Sequence, residues 1–131
     1  MNTMEKVKVS DTRQPALTRA VIRQTGRENL EDIARHGADS GFAGFTYYND
    51  TVNFYKRNAK LIKERLEQDA SDFGQGLLEM VGGFVCLKSY KLTSWEVAEA
   101  INGRGEMAIQ VQNALAWYAA EEIARELNPD L

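Results

Sequence analysis

Seven apolar side chains, Val52, Tyr55, Ala59, Ile62, Leu66, Ala70 and Phe73, recur at spacings of three and four. That period puts them on one stripe and predicts a single amphipathic helix over residues 51–73. Asn49 or Asp50 can cap its start, because a short polar side chain accepts a hydrogen bond from an otherwise unpaired amide. Gly74 and Gly76 mark its end. A second long stripe, Val111, Leu115, Ala119, Ile123 and Leu127, predicts a last helix that Pro129 stops.

Shorter patterns fill the rest. Pro15 suits a first helical turn, and Ala16, Leu17, Ala20 and Val21 share a face behind it. Thr25-Gly-Arg-Glu28 has capping-box spacing ahead of Leu30, Ile33 and Ala34, and Gly37 is a natural stop. Residues 77–87 are nearly all apolar and read as one helix, although Gly82 and Gly83 in its middle each cost about 1 kcal/mol relative to alanine. Thr93-Ser-Trp-Glu96 is a second capping box, opening a short helix that Asn102-Gly103 closes. Two places resist a helical reading. Val7 and Val9 alternate with Lys6 and Lys8 as in a short strand, and Phe42, Phe45, Tyr47 and Tyr48 suit a short β element at 41–48. The expected fold is mostly α: a compact bundle of five or six helices in one domain, 1–131, with residues 1–10 as an arm.

Composition narrows the function classes. The 131 residues suffice for one core without disulfides or metal. No apolar run approaches the ~18 residues that span a bilayer, and the N-terminus lacks the apolar segment of a signal peptide. The single cysteine, Cys86, fits a reducing cytoplasm. A net charge of −3 argues against binding long nucleic acid, which needs a basic surface. One histidine and one cysteine make no metal-ligand set, and no phosphate-loop or dinucleotide pattern is present, so no cofactor is expected.

The candidate chemistry centres on residues 35–50, RHGADSGFAGFTYYND. Gly37, Gly41 and Gly44 allow positive φ and close backbone approach. Phe45, Tyr47 and Tyr48 offer flat faces, while Asp50 and Thr51 open a helix whose unpaired amides favour an anion. Lys56 belongs to a basic half-helix with Arg57, Lys60 and Lys63; Glu64, Glu67, Asp69 and Asp72 follow at the end where the helix dipole disfavours them. That cluster answers a bound anion or an acidic patch on another subunit, unless Lys60–Glu64 and Lys63–Glu67 pairs simply solvate it. Phe84 beside Gly82-Gly83 can stack on a ligand, and Asn102 and Arg104 form a turn able to clamp a phosphate. Core packing or plain turn formation explains each of these equally simply. His36 sits where a ring covers the last carbonyls of a helix. A Cys86–His36–Asp39 triad has no local support, since an apolar run usually buries its thiol. Trp95, Trp117 and Tyr118 read as core or interface anchors.

The run ARHGADSGFAGFTYYNDTVNFY, residues 34–55, resembles a family of small proteins carried by phages, prophages and plasmids, with an ADSGF-GF-YY-DT block before a long helix. Its members also end in a helix like LAWYAAEEIAREL, residues 115–127. Region 88–103 departs from the shorter family pattern, so Asn102 and Arg104 carry over poorly. The aromatic and basic helical character is also similar to the nucleotide sponges that act against the Thoeris defence system. The resemblance implies a counter-defence protein in the host bacterial cytoplasm. It would bind and sequester a nucleotide-derived immune signal, of cyclic ADP-ribose or cyclic oligonucleotide type, without cleaving it, at the interface of a homo-oligomer. A protein–protein inhibitor of a defence complex, such as an anti-CRISPR, and an enzyme that degrades the signal are the alternatives.

Overall fold

The computed structural model describes residues 7–38, Phe45 and residues 48–131. Within them lie six α-helices: α1 (Pro15–Thr25), α2 (Leu30–His36), α3 (Tyr48–Asp72), α4 (Leu77–Gly82), α5 (Ser94–Ile101) and α6 (Ala108–Leu127). Turns of 3-10 helix cover Val9–Asp11, Arg27–Asn29 and Val85–Tyr90. The described residues are mostly helical and contain no strand. Val9, expected to alternate along a strand, instead begins a 3-10 turn. The β element expected at 41–48 lies outside the described residues, apart from Phe45 and the start of α3 at Tyr48.

Helix α6 organises the bundle. Val111, Leu115, Ala119, Ile123 and Leu127 are buried, as their spacing requires, but so are Ala114, Ala116, Ala120 and Ala124. Small side chains on several faces let α3, α2 and α5 all pack closely on this one helix. Helix α3 supplies Phe54, Tyr55, Ile62 and Leu66 to the shared core, and Ala70 is buried as well. It departs from the single straight helix the periodicity predicts. Asn58 has non-helical dihedrals (φ −122°, ψ 18°), and its side-chain amide donates to the Phe54 carbonyl at 2.9 Å, a local side-chain bond of the kind that bends helices. Phe73 lies past the helix end and is 74% exposed, because Gly74, at φ +70°, unwinds the chain before that ring can reach the core.

Local signals explain the shorter elements unevenly. The Thr93–Glu96 box forms in both directions, with Glu96 N–H donating to Thr93 Oγ1 (3.2 Å) and Thr93 N–H to Glu96 Oε1 (3.1 Å). The box expected at Thr25 does not form, since the Thr25 hydroxyl donates back to the Val21 carbonyl at 3.0 Å and α2 begins only at Leu30. The glycine pair ends α4 rather than being carried through it. Phe84 is then extended (φ −62°, ψ 134°), and the chain continues as a 3-10 turn whose Val85 and Cys86 face outward. The buried-thiol expectation is thus corrected: Cys86 is exposed.

Tyr55 is buried and its hydroxyl donates to the Ile101 carbonyl at 2.8 Å, tying α3 to the end of α5. Burial pushes its pKa up to about 12, so it remains a donor across the working pH range. Tyr55→Phe strands that carbonyl and is expected to cost about 1–2 kcal/mol in urea unfolding, with an unchanged m-value.

Candidate functional site

The nine residues singled out from the sequence do not gather in one place. Phe45 is 1% exposed and packs edge-on against Phe54, ring centroids 5.4 Å apart, so it serves the core. Tyr47 lies outside the described residues, and Tyr48 enters as the first residue of α3. Thr51 is buried, Asp50 half-buried and Lys56 exposed, all in the first turns of α3. Asn102 accepts from Lys63 Nζ at 3.2 Å and donates to the Ala98 carbonyl at 3.0 Å, so Lys63 turns to it instead of pairing with Glu67. Arg104 pairs with Glu99, so its guanidinium is engaged within the chain. Among the described side chains of the nine, Phe84 lines a cleft.

That cleft has a volume of about 510 Å³, within the range of small-molecule sites. It forms where the end of α2, the turn after α4 and the middle of α6 meet. Phe84 and Tyr118 stack there with centroids 4.9 Å apart and planes 15° apart, and Trp117 stands beside them. Arg35 and Arg125 give the rim positive character, opposed by Glu121, and His36 also lines it. Both arginines are held by surface pairs, Arg35 to Glu31 at 2.9 Å and Arg125 to Glu122 at 3.2 Å. Pairs this exposed are worth little and exchange readily for a stronger anion. Glu121 accepts the Ala38 amide at 2.8 Å, which fixes the segment leaving α2 against α6. Gly37, at φ +92°, makes that exit turn with a backbone only glycine adopts cheaply. His36 occupies the last turn of α2, where the helix-cap reading put it, yet it also faces the same cleft as Cys86. Asp39, the third member of the paper triad, lies outside the described residues.

Helix α6 also carries a row of buried polar atoms without partners. Gln110 Oε1, both amide atoms of Asn113, and Trp117 Nε1 are buried without a hydrogen-bond partner. They recur at spacings of three and four on α6, and Asn113 is 0% exposed. Each unpaired buried donor or acceptor costs about 1–3 kcal/mol. Orphans of this kind are rare, and of these three residues Trp117 lines the cleft.

Behind Tyr118 lies a buried charge network. Arg65, 5% exposed, donates from Nε to Asp69 (2.9 and 3.1 Å) and from Nη1 to Glu126 and Gln14 (each 2.7 Å). Arg13 reaches Asp69 at 3.0 Å and also pairs with Asp72, while the Tyr118 hydroxyl donates to Asp69 at 2.6 Å. These partners account for the acidic second half of α3, whose Asp69 and Asp72 answer an arginine from far away in sequence. Burial alone would lower the Arg65 pKa, but hydrogen bonds to Glu126 and Asp69 raise it. Burial, then the bond to Asp69, raises the Tyr118 phenol, which keeps it a donor. Burial likewise raises Glu122 above the ordinary carboxylate range. Among the described residues no group of three or more His, Cys, Asp or Glu side chains could hold a metal.

Sequence reading missed Arg35, Arg125 and Asn113, and took Trp117 and Tyr118 only as anchors. One signal was present: Asn113 is a polar residue inside the apolar pattern of α6.

The described residues thus form a helical domain with an aromatic, basic-rimmed cleft. Residues 3–131 match the family described as "Domain of unknown function (DUF7222)", and the chain belongs to that family. No curated protein and no solved structure matches it. No helix among the described residues is long and apolar enough to cross a membrane.

Proposed function

We propose that this protein is a binding protein, without catalysis of its own, for a phosphate-bearing nucleotide, and that it works by sequestering it. The observation that carries this reading is the cleft at Phe84, Trp117 and Tyr118, where a stacked aromatic wall meets Arg35, His36 and Arg125. A planar base takes the aromatic wall, and guanidinium groups take phosphate in paired hydrogen bonds. The buried, unpaired amide and indole groups beside the wall favour a ligand with its own donors and acceptors. The ligand site therefore moves from the start of α3, where the sequence put it, to α6 and the turn after α4.

The resemblance to phage, prophage and plasmid proteins supports the finer reading. The nucleotide is a cyclic ADP-ribose-type or cyclic oligonucleotide immune signal, and the protein a counter-defence sponge in the host cytoplasm.

Cys86 makes the test inexpensive, because the only thiol of the chain is exposed on the cleft wall. A panel of cyclic ADP-ribose isomers, cyclic dinucleotides and AMP is titrated while iodoacetamide labelling of Cys86 is followed. A bound nucleotide is expected to slow labelling and to be recovered intact after heat denaturation of the protein. Phe84→Ala is expected to weaken binding by roughly 5- to 150-fold, the loss of one stacking contact of ~1–3 kcal/mol. Binding unaffected by Phe84→Ala and Arg35→Ala in folded protein excludes this cleft, and recovery of a cleaved product makes the protein an enzyme.

A further inference from the structure

Two surface features of the chain, neither lined by the cleft residues, complement one another. On the α5 side, Trp95 is 71% exposed, with Tyr90 at 48% and Ile109 at 54%. Trp95 and Tyr90 flank a hollow of about 360 Å³ whose walls carry Glu96, Glu99 and Glu106 against the single cation Arg104. Arg104 is already paired with Glu99. An indole this exposed, next to an excess of carboxylates, is unusual on a lone soluble domain, and tryptophan is the residue most enriched at interface hot spots.

The second feature is a hollow of about 400 Å³ between α1 and α3, walled by Ala20, Phe54, Asn58, Gln24, Arg23 and Arg57. The break in α3 at Asn58 lies in its wall. Arg23 and Arg57 are exposed, and Arg19, Lys56 and Lys60, also exposed, belong to the same two helices. Arg57 spends one donor on Gln24 at 3.1 Å and no carboxylate pairs with it among the described ion pairs. This basic cluster is the one whose counterpart the sequence left unexplained.

We propose that the Trp95 face of one copy docks into the Arg23–Arg57 hollow of a second copy of this chain. The indole enters the hollow beside Ala20, where a guanidinium can lie over its face, and Glu99 and Glu106 meet Arg23 and Arg57. The occupant is a second copy because the chain carries both halves: an acidic knob and a basic hole of opposite charge and sufficient size. A knob-and-hole contact uses different surfaces on the two partners, so it closes as a reciprocal pair or continues into a ring. The inference is independent of the nucleotide reading, since neither surface belongs to the cleft.

Sedimentation velocity tests it with two variants altered only at exposed positions. Trp95→Ala with Glu106→Lys destroys the knob, and Arg23→Glu with Arg57→Glu destroys the hole. The wild type is expected to associate as concentration rises and to dissociate as salt rises, because exposed charges more than ~8–10 Å apart are screened at physiological ionic strength. Each variant alone is expected to sediment as a monomer. A one-to-one mixture is expected to regain association, since the first variant keeps its hole and the second its knob. A wild type that stays monomeric throughout overturns the proposal. So does a mixture that stays monomeric while circular dichroism shows both variants folded, or a knob variant that associates as well as the wild type.

Discussion

Asp69→Ala is expected to be the most damaging single substitution in the protein, lowering stability by about 3–5 kcal/mol. Asp69 is 4% exposed and is the common acceptor for Arg65, Arg13 and the Tyr118 hydroxyl. Removing it leaves a guanidinium that is itself 5% exposed facing only Glu126, Gln14 and the more distant Glu122. Breaking one side of such a pair costs far more than the pair is worth, because the surviving charge stays buried. For a domain of this size the loss corresponds to a fall in Tm of roughly 10–20 °C. Replacing both partners, as Arg65→Met with Asp69→Leu, is expected to recover much of that loss by removing the stranded charge. Thermal unfolding of the two variants side by side is the measurement. A double variant as unstable as Asp69→Ala alone would show that the network holds the helices by shape rather than by charge compensation.

Asn113→Leu is expected to act in the opposite direction. Leucine keeps the number and branching of side-chain heavy atoms but has no donor or acceptor to leave unpaired. The free protein should gain about 1–2 kcal/mol, because an orphaned buried amide costs about 1–3 kcal/mol. If Asn113 is retained for a ligand, the same variant loses affinity for whichever panel nucleotide the wild type retains. Stability up and binding down is the signature of a side chain kept for function. Urea unfolding and the Cys86 protection assay read the two effects separately. A destabilised Asn113→Leu would mean that the amide is paired in solution, and would remove it from the site.

What could be read from the chain follows the range of the interactions. The Thr93–Glu96 box and the stripe of α6 depend on residues a few positions apart and form as the pattern requires, whereas the α3 stripe forms at Tyr55, Ile62, Leu66 and Ala70 but leaves Phe73 exposed. Much of residues 34–55, the stretch that carried the resemblance, lies outside the described residues, and Phe45 within it serves the core. Apolar pattern alone misread residues 77–87, where Gly82 and Gly83 end a helix that hydrophobicity would continue. The cleft was illegible for a different reason. Arg35, Phe84 and Tyr118 come from three distant segments, and only the packing of α2 and the post-α4 turn on α6 brings them together. The network behind it is similar: nothing near Asp69 announces Arg13 as its partner.

The position of α6 has a kinetic consequence. Helical bundles usually fold fast because neighbouring helices pair first and contacts stay local. Here Arg13 N–H reaches Glu126 across 113 positions at 2.5 Å, and α2 and α3 find their main packing surface on α6. The entropy of closing that loop is spent before most of the core can reward it. Folding is accordingly expected to be slower than helix content alone suggests.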